Sequence, residues 1–349
     1  MKKSYVLVIC LILTWCGLWS LSGETQLNSQ ETGGRADVSL PISQPSSNTS
    51  AEAVSPETGE YSELHRTHLK DNSTLLVLVK DNELFLTSST ASSINIGSMT
   101  ELPVTIDNST KLLVNGDNPL PEGFSPKELN NISSKKIKLE YSNLKLIPVT
   151  LKTLYSMIEA AKNDGVKGFI VNSAYRSLDT QRLIFEANLN SFKKSSKDSA
   201  EALARTRQLV ALPGNSEHHT GLALDIFSVN GRHRNDFEGT KEQVWLNSNL
   251  TDFGFIVRYP KEKTKETNSV YEPWHIRYVG LPLSSFLKEQ ELCLEEFYSL
   301  IMAGKALEDA TSLFIGAKTD QRVFIDSVLS QRVQLERVND EYNLLTLSK

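Results

Sequence analysis

Apolar and polar positions divide the chain into stretches of different character. Tyr5 to Leu21 is almost wholly apolar, and Gly23 to about Tyr61 is rich in Ser, Thr, Gly, Gln, Asn and Pro. The second stretch has too few apolar side chains to bury a core, so residues 23–61 are expected to be a flexible tether. Further on, Leu75–Val79 and Leu84–Thr87 flank Lys80-Asp81-Asn82-Glu83, a pattern that predicts a β-hairpin. Weaker strand-like segments follow near Ile94–Ile96 and Leu102–Ile106. Residues 62–108 thus read as a small β-rich unit. His65 and His68 precede the hairpin at a helical spacing and read as surface residues, not as a metal site.

From residue 109 the period changes. Leu151, Leu154, Tyr155 and Ile158 recur every three or four positions and predict an amphipathic helix ending near Asp164-Gly165. Gly168–Ser173 follows as a buried strand. Gln181–Phe192 and Ala200–Val210 are expected to be helical. Leu222–Phe227, Phe255–Tyr259 and Trp274–Val279 read as strands, and Leu283–Met302 as one or two closing helices. Helices mixed with antiparallel-looking strands give an α+β domain over 109–302. Residues 303–349 read as a separate C-terminal extension, in which Leu307, Phe314, Val323, Ile325, Val328 and Leu329 could form an amphipathic packing element.

Composition narrows the setting. A chain of 349 residues holds one large domain or two small ones, and its net charge of −5 gives no reason to expect a nucleic-acid partner. Met1-Lys2-Lys3 followed by the apolar run and Ser20-Leu21-Ser22 has the form of a secretory signal peptide over residues 1–22. An uncleaved membrane anchor is the alternative, and would be the chain's one membrane contact. Acylation at Cys16 is disfavoured by the bulk of Trp15. Of three cysteines, only Cys293 follows the signal, so no internal disulfide is possible in a mature chain, and Cys293 reads as a small buried apolar residue. An exported monomer, on the outer face of the membrane or in the cell wall, is expected.

The chemistry concentrates in two short motifs, Ser216-Glu217-His218-His219-Thr220-Gly221-Leu222-Ala223-Leu224-Asp225 and Glu272-Pro273-Trp274-His275. Two imidazoles and a carboxylate are the protein ligands that a catalytic zinc needs, with the fourth position open to water. Glu272 is the natural general base for that water. Gly221 would let the backbone turn closely behind His218. Spacing alone does not separate such a set from structural histidines, because ligands distant in sequence meet only in the fold.

The order Ser-x-His-x-x-Gly-x-Ala-x-Asp then Glu-x-Trp-His resembles the signature of VanY-type D-alanyl-D-alanine carboxypeptidases, members of the LAS metallopeptidases. The resemblance extends to Leu113-Val114-Asn115, Asn118-Pro119-Leu120-Pro121, Ser173-Ala174-Tyr175-Arg176-Ser177 with Gln181, Pro213-Gly214, Trp245-Leu246 and Tyr259-Pro260, covering roughly residues 110 to 300. It implies a LAS, hedgehog-like zinc peptidase fold with a small antiparallel sheet and flanking helices. It further implies Zn2+ on His218, Asp225 and His275, with Glu272 as general base. Arg176 would face the oxyanion or the substrate's terminal carboxylate, since its planar fork matches paired oxygens. Ser173, Tyr175, Gln181 and Ser216 would be polar groups of the substrate pocket, and Trp274 would pack behind the ligands.

Two positions depart from the family pattern. His219 stands where relatives often have Gln and is assigned a pocket or supporting role; Ala174 replaces a frequent Gly. His233 reads as an exposed loop residue. The substrate implied is a peptidoglycan stem peptide. D,D-cleavage of pentapeptides, L,D-cleavage of tetrapeptides and endopeptidase action all share these motifs, and a zinc-stabilised wall-binding module is the non-catalytic alternative.

Overall fold

The computed structural model describes residues 61–89, 96–106, 109–231 and 234–349. The signal or anchor, the polar tether and His233 lie outside the described residues. The first unit consists of antiparallel strands β1 (Ser62–His68), β2 (Thr74–Lys80) and β3 (Glu83–Ser89). β2 and β3 form the expected hairpin. Its turn residues Asp81 and Asn82 have φ of 48° and 65°, the left-handed pair that matches strand twist and that Asp and Asn tolerate. His65 and His68 correct the helical reading: they lie in β1, paired with Val77 and Thr74. Ile96 opens a short 3₁₀ turn, and residues 94–95 are outside the described set. The Leu102–Ile106 strand reduces to β4 (Thr100–Glu101) and a bridge from Thr105 to Glu336.

The central domain opens with short pairings, β5 (Asn130–Asn131), β6 (Lys138–Leu139) and β7 (Lys145–Leu146), in which β5 pairs with β7. Helix α1 (Pro148–Asn163) starts from extended Ile147, with proline in its first turn, where a missing N–H costs nothing. It buries Leu151, Leu154, Met157, Ile158 and Ala161 against the sheet, each of the larger side chains contributing about 2 kcal/mol. Strand β8 (Phe169–Ser173), helices α2 (Leu178–Lys193) and α3 (Ser199–Leu209), strand β9 (Ala223–Ser228), helices α4 (Arg234–Phe237) and α5 (Lys241–Asn249), and strands β10 (Phe255–Tyr259) and β11 (Glu272–Tyr278) follow. The sheet order is β10-β11-β9-β8-β6, antiparallel except for the β6–β8 pair. This is the α+β architecture expected. In its register Asp225 is the partner of His275 on one side and Ser173 on the other. Two residues from motifs about fifty positions apart are thereby brought side by side.

Helices α6 (Leu283–Glu289) and α7 (Leu294–Met302) close the domain, and the tail then forms strands, not an amphipathic element standing alone. β12 (Leu307–Glu308), β13 (Ser312–Lys318), β15 (Val333–Arg337) and β16 (Tyr342–Ser348) make one sheet, in the order β12-β13-β16-β15. β14 (Arg322–Ile325) leaves it and inserts between β3 and β4, parallel to the first and antiparallel to the second. Leu75, Val77, Leu84 and Leu86 share a core with Ile315, Val323, Ile325, Leu335 and Leu345. The division into an N-terminal unit and a separate tail is therefore corrected, because residues 62–105 and 307–348 build a single two-sheet unit. The reason is physical. A three-stranded sheet with one apolar face has nothing to bury it against, and the tail supplies both an extra strand and the opposing sheet. On the other face of β13, Phe314 packs its ring against Phe286 and Phe297 and ties this unit to α6 and α7.

Candidate metal centre

His218 lies in a 3₁₀ turn, Glu217–Thr220, which ends at Gly221 with φ 68°. A Cβ at Gly221 would stand 3.0 Å from the Ile147 side chain and 3.2 Å from its backbone nitrogen, so the turn approaches the start of α1 as only glycine permits. The Nδ1 atom of His218 lies 2.7 Å from the carbonyl oxygen of Ala174. A carbonyl only accepts, so Nδ1 carries the proton and Nε2 presents a lone pair. That Nε2 is 3.5 Å from Asp225 Oδ2. His275, on β11, places Nδ1 3.4 Å from Asp225 Oδ1 and 3.6 Å from Glu272 Oε2. The two imidazoles meet edge to face, with centroids 4.9 Å apart.

One ligand atom each from His218, Asp225 and His275 lies within 4.8 Å of the others, the one such cluster among the described residues. His218 Nε2 and Asp225 Oδ1 are buried without a hydrogen-bond partner. Buried polar atoms are rarely left so, and a cation among them is the missing partner that satisfies both. A neutral nitrogen, a carboxylate oxygen and a second imidazole form the donor set of a three-ligand site with an open fourth position. The residues therefore fit zinc. Burial, reinforced by the nearby Arg176 charge, pushes His218 down to about 4 and keeps it neutral. Burial acts in the same sense on His275, but the carboxylates of Asp225 and Glu217 overcome it and lift that imidazole to about 9. Burial opposes ionisation of Asp225, and the two histidines overcome it and hold the carboxyl well below its usual range.

Glu272 is the first residue of β11, 8% exposed. Arg176 reaches the other carboxylate oxygen of Asp225, its Nη2 4.0 Å from Oδ2. Its backbone is tied to the metal motif at both polar atoms: its N–H donates to the His218 carbonyl, and its own carbonyl accepts from His219 Nδ1. Its guanidinium donates to Gln181 Oε1 at 2.9 Å, and the Gln181 amide donates to the Ala211 carbonyl at 2.7 Å. Gln181 is thus buried and engaged at both ends, and it holds Arg176 instead of lining an open pocket. Ser216 is buried as well, whereas Ser173, paired with Asp225, and Tyr175 are half-buried. His219 is fully used in support, since its Nε2 accepts the Gly214 N–H at 3.2 Å. His218 and His219 sit together in the 3₁₀ turn. Trp274 stacks on Phe227, centroids 5.6 Å apart, behind the ligands.

Sequence reasoning missed Glu217. It is 1% exposed, and its Oε1 accepts from Arg258 Nε at 2.7 Å and Arg277 Nη1 at 2.8 Å. Both arginines are fully buried. Its Oε2 stands 3.4 Å from His275 Nε2, an ion-pair contact on the side of the ring away from the metal cluster. Burial alone would raise this carboxyl, and the two guanidinium charges hold it far below the carboxylate range. A carboxylate behind a ligating imidazole fixes its tautomer and orientation. The available signal was a lone arginine inside each of two largely apolar strands, Phe255–Tyr259 and Trp274–Val279.

The family model described as "VanY: D-alanyl-D-alanine carboxypeptidase" matches residues 143–281, a span that contains every residue of this centre. A D-alanyl-D-alanine carboxypeptidase of Enterococcus faecalis is 38% identical over 184 residues, 53% of this chain and 63% of that one. The chain spans less than two thirds of the length of the curated relatives it matches. A solved vancomycin-resistance D,D-pentapeptidase VanY in complex with Zn(II) is 35% identical, covering 55% of this chain and 99% of that one, with a TM-score of 0.47. The vancomycin-resistance D,D-dipeptidase VanXYg, solved with a D-Ala-D-Ala phosphinate analogue, is 26% identical, covers 69% of this chain and 94% of its own, and has a TM-score of 0.57. The matched family model, the 38% identity to a curated D-alanyl-D-alanine carboxypeptidase and the fold shared with VanXYg lead to one conclusion: residues 143–281 belong to the VanY family of D-alanyl-D-alanine carboxypeptidases.

Proposed function

We propose that this protein is a zinc-dependent D,D-carboxypeptidase that removes the C-terminal D-alanine from peptidoglycan stem pentapeptides outside the cytoplasmic membrane. The observation that carries the reading is the convergence of one ligand atom each from His218, Asp225 and His275 within 4.8 Å, with Glu272 3.6 Å from His275 Nδ1 and Arg176 4.0 Å from Asp225. His218, Asp225 and His275 would hold the metal. Zinc bound there supplies Lewis acidity toward the scissile carbonyl and lowers the pKa of its water toward neutrality.

The chain's own groups supply the remainder. Glu272 takes the proton of the attacking water and returns it to the departing amine, the usual double duty of a carboxylate general base. Arg176, braced by Gln181, offers its fork to the developing oxyanion or to the terminal carboxylate of the peptide. Ser173 and Tyr175, both half-buried, would be the polar groups that orient the stem.

The test is mass spectrometry of pentapeptide, tetrapeptide and cross-linked muropeptide after incubation with the enzyme, with and without a zinc chelator. Chelator-sensitive loss of one alanine from the pentapeptide alone is expected. Loss from the tetrapeptide would move the assignment to L,D-cleavage, and cutting within the cross-link would make it an endopeptidase. Glu272→Ala should bind zinc and turn over nothing, and turnover by that variant would refute Glu272 as the base.

A further inference from the structure

We propose that Glu336, in the C-terminal β unit and outside the span of the family match, is a positioning residue for the metal centre. It acts through a buried strap, residues 109–113, and through Arg277 and Glu217. The inference rests on the reading of His275 as a metal ligand.

The strap is held from two sides. From the β unit, Glu336 Oε1 accepts the Thr110 N–H at 3.0 Å and the Thr110 hydroxyl at 3.1 Å, and its Oε2 lies 3.3 Å from Lys111 Nζ. Ser109 Oγ donates to the Arg337 carbonyl and Leu113 N–H to the Val338 carbonyl. From the catalytic side, Arg277 Nη2 donates to the Leu112 carbonyl at 2.8 Å and to that of Thr110 at 3.3 Å. Lys111 Nζ donates to the Val279 carbonyl at 2.7 Å, and Tyr298 to the Lys111 carbonyl at 2.6 Å. Lys111 and Arg277 are 3% and 0% exposed, so water cannot stand in for any of these partners.

Arg277 is the pivot. One end of its guanidinium is fixed by the strap carbonyls and the other by Glu217, whose second oxygen faces His275 Nε2 at 3.4 Å. The path from Glu336 to the metal ligand therefore passes only through buried, charged or carbonyl-anchored contacts, which have few alternative arrangements. Glu336 bonds the strap with both carboxylate oxygens. Without it, Lys111 loses its anion at a buried position, and the Thr110 N–H loses its acceptor. The carbonyls that hold Arg277 are then free to shift, and Glu217 with them.

The experiment measures Zn2+ affinity of the full chain by competition with a chromophoric chelator, and the visible spectrum of the Co2+-loaded protein, for wild type, Glu336→Ala, Glu336→Gln and Gln334→Ala. Gln334 is exposed on the same strand and serves as the control. Substituting an outer partner of a metal ligand costs roughly 10–100-fold in affinity. Glu336→Ala is accordingly expected near the lower end, about tenfold, with shifted Co2+ bands and unchanged far-ultraviolet circular dichroism. Glu336→Gln, which keeps the acceptor for Thr110 but not the charge facing Lys111, should weaken binding less. Gln334→Ala should match wild type. Folded Glu336 variants with wild-type affinity and spectrum overturn the proposal, and so does an equal loss in Gln334→Ala. If Glu336→Ala does not fold, Glu336→Gln decides by the same two readouts. A wild-type chain that binds no zinc overturns the metal reading itself, an outcome distinct from wild-type binding that Glu336 does not influence.

Discussion

Glu217→Gln is nearly isosteric, so its effect isolates charge. The side chain is 1% exposed and shares Oε1 between Arg258 and Arg277. Arg258 keeps a second anion, since its Nη1 donates to Glu295 Oε2 at 2.8 Å. Among the described residues Arg277 has otherwise the carbonyls of Tyr278, Thr110 and Leu112. The substitution therefore leaves one buried guanidinium without a counter-charge, and an amide must serve where two donors converge on a carboxylate. Removing one partner of a buried ion pair costs about 3–5 kcal/mol. At roughly 2–4 °C per kcal/mol for a domain of this size, the melting temperature should fall by about 6–20 °C. The assay is thermal and urea unfolding of the zinc-free protein, which removes metal binding from the comparison, with exposed Glu289→Gln as control. Zinc affinity, measured separately, should also fall, because His275 loses the anion behind its Nε2. A Glu217→Gln protein that unfolds with the wild type would refute the reasoning, for it would mean that the two arginines are compensated by water or by groups other than Glu217.

Two further outcomes follow from neighbouring geometry. Gln181→Leu removes the acceptor of Arg176 Nη1 at 2.9 Å. It should lower kcat/KM for the pentapeptide by about tenfold, the equivalent of one hydrogen bond of about 1.4 kcal/mol to a charged group, while zinc affinity stays unchanged; unaltered kcat/KM would show that Arg176 needs no brace. Burial pushes the Cys293 thiol up to about 12, so roughly one thiol in ten thousand is ionised at pH 8. Iodoacetamide labelling of Cys293 in the native chain, read by peptide mapping, should be minimal at pH 8 and rise about tenfold per pH unit up to pH 10. Rapid labelling at pH 8, or a plateau below pH 10, would contradict that environment.

Much of the site was legible because its residues are local in sequence. His218 and Asp225 share one ten-residue motif, and Glu272 and His275 share another. The strands that carry Asp225 and His275 show as apolar runs. Their pairing is the part the pattern could not state, and it is the β9–β11 register that sets Asp225 opposite His275. Gln181 read as a pocket residue because polar residues in a motif suggest ligand contact, whereas its burial comes from α2 packing close to Ala211. Glu217 was passed over because its partners lie 41 and 60 residues away.

By itself the sequence determined what short-range physics controls: the α1 face from its three- and four-residue period, the hairpin from Asp81-Asn82, the αL turn at Gly221 and the ligand types. Only the tertiary structure decided which distant segments meet. It placed β14 between β3 and β4, joined residues before 106 to residues after 306 in one core, and set the strap at 109–113 between Glu336 and Arg277. Local dihedral preference and periodicity act within a few residues, whereas strand partners and buried ion pairs are selected by the free energy of burying complementary faces, wherever along the chain those faces occur.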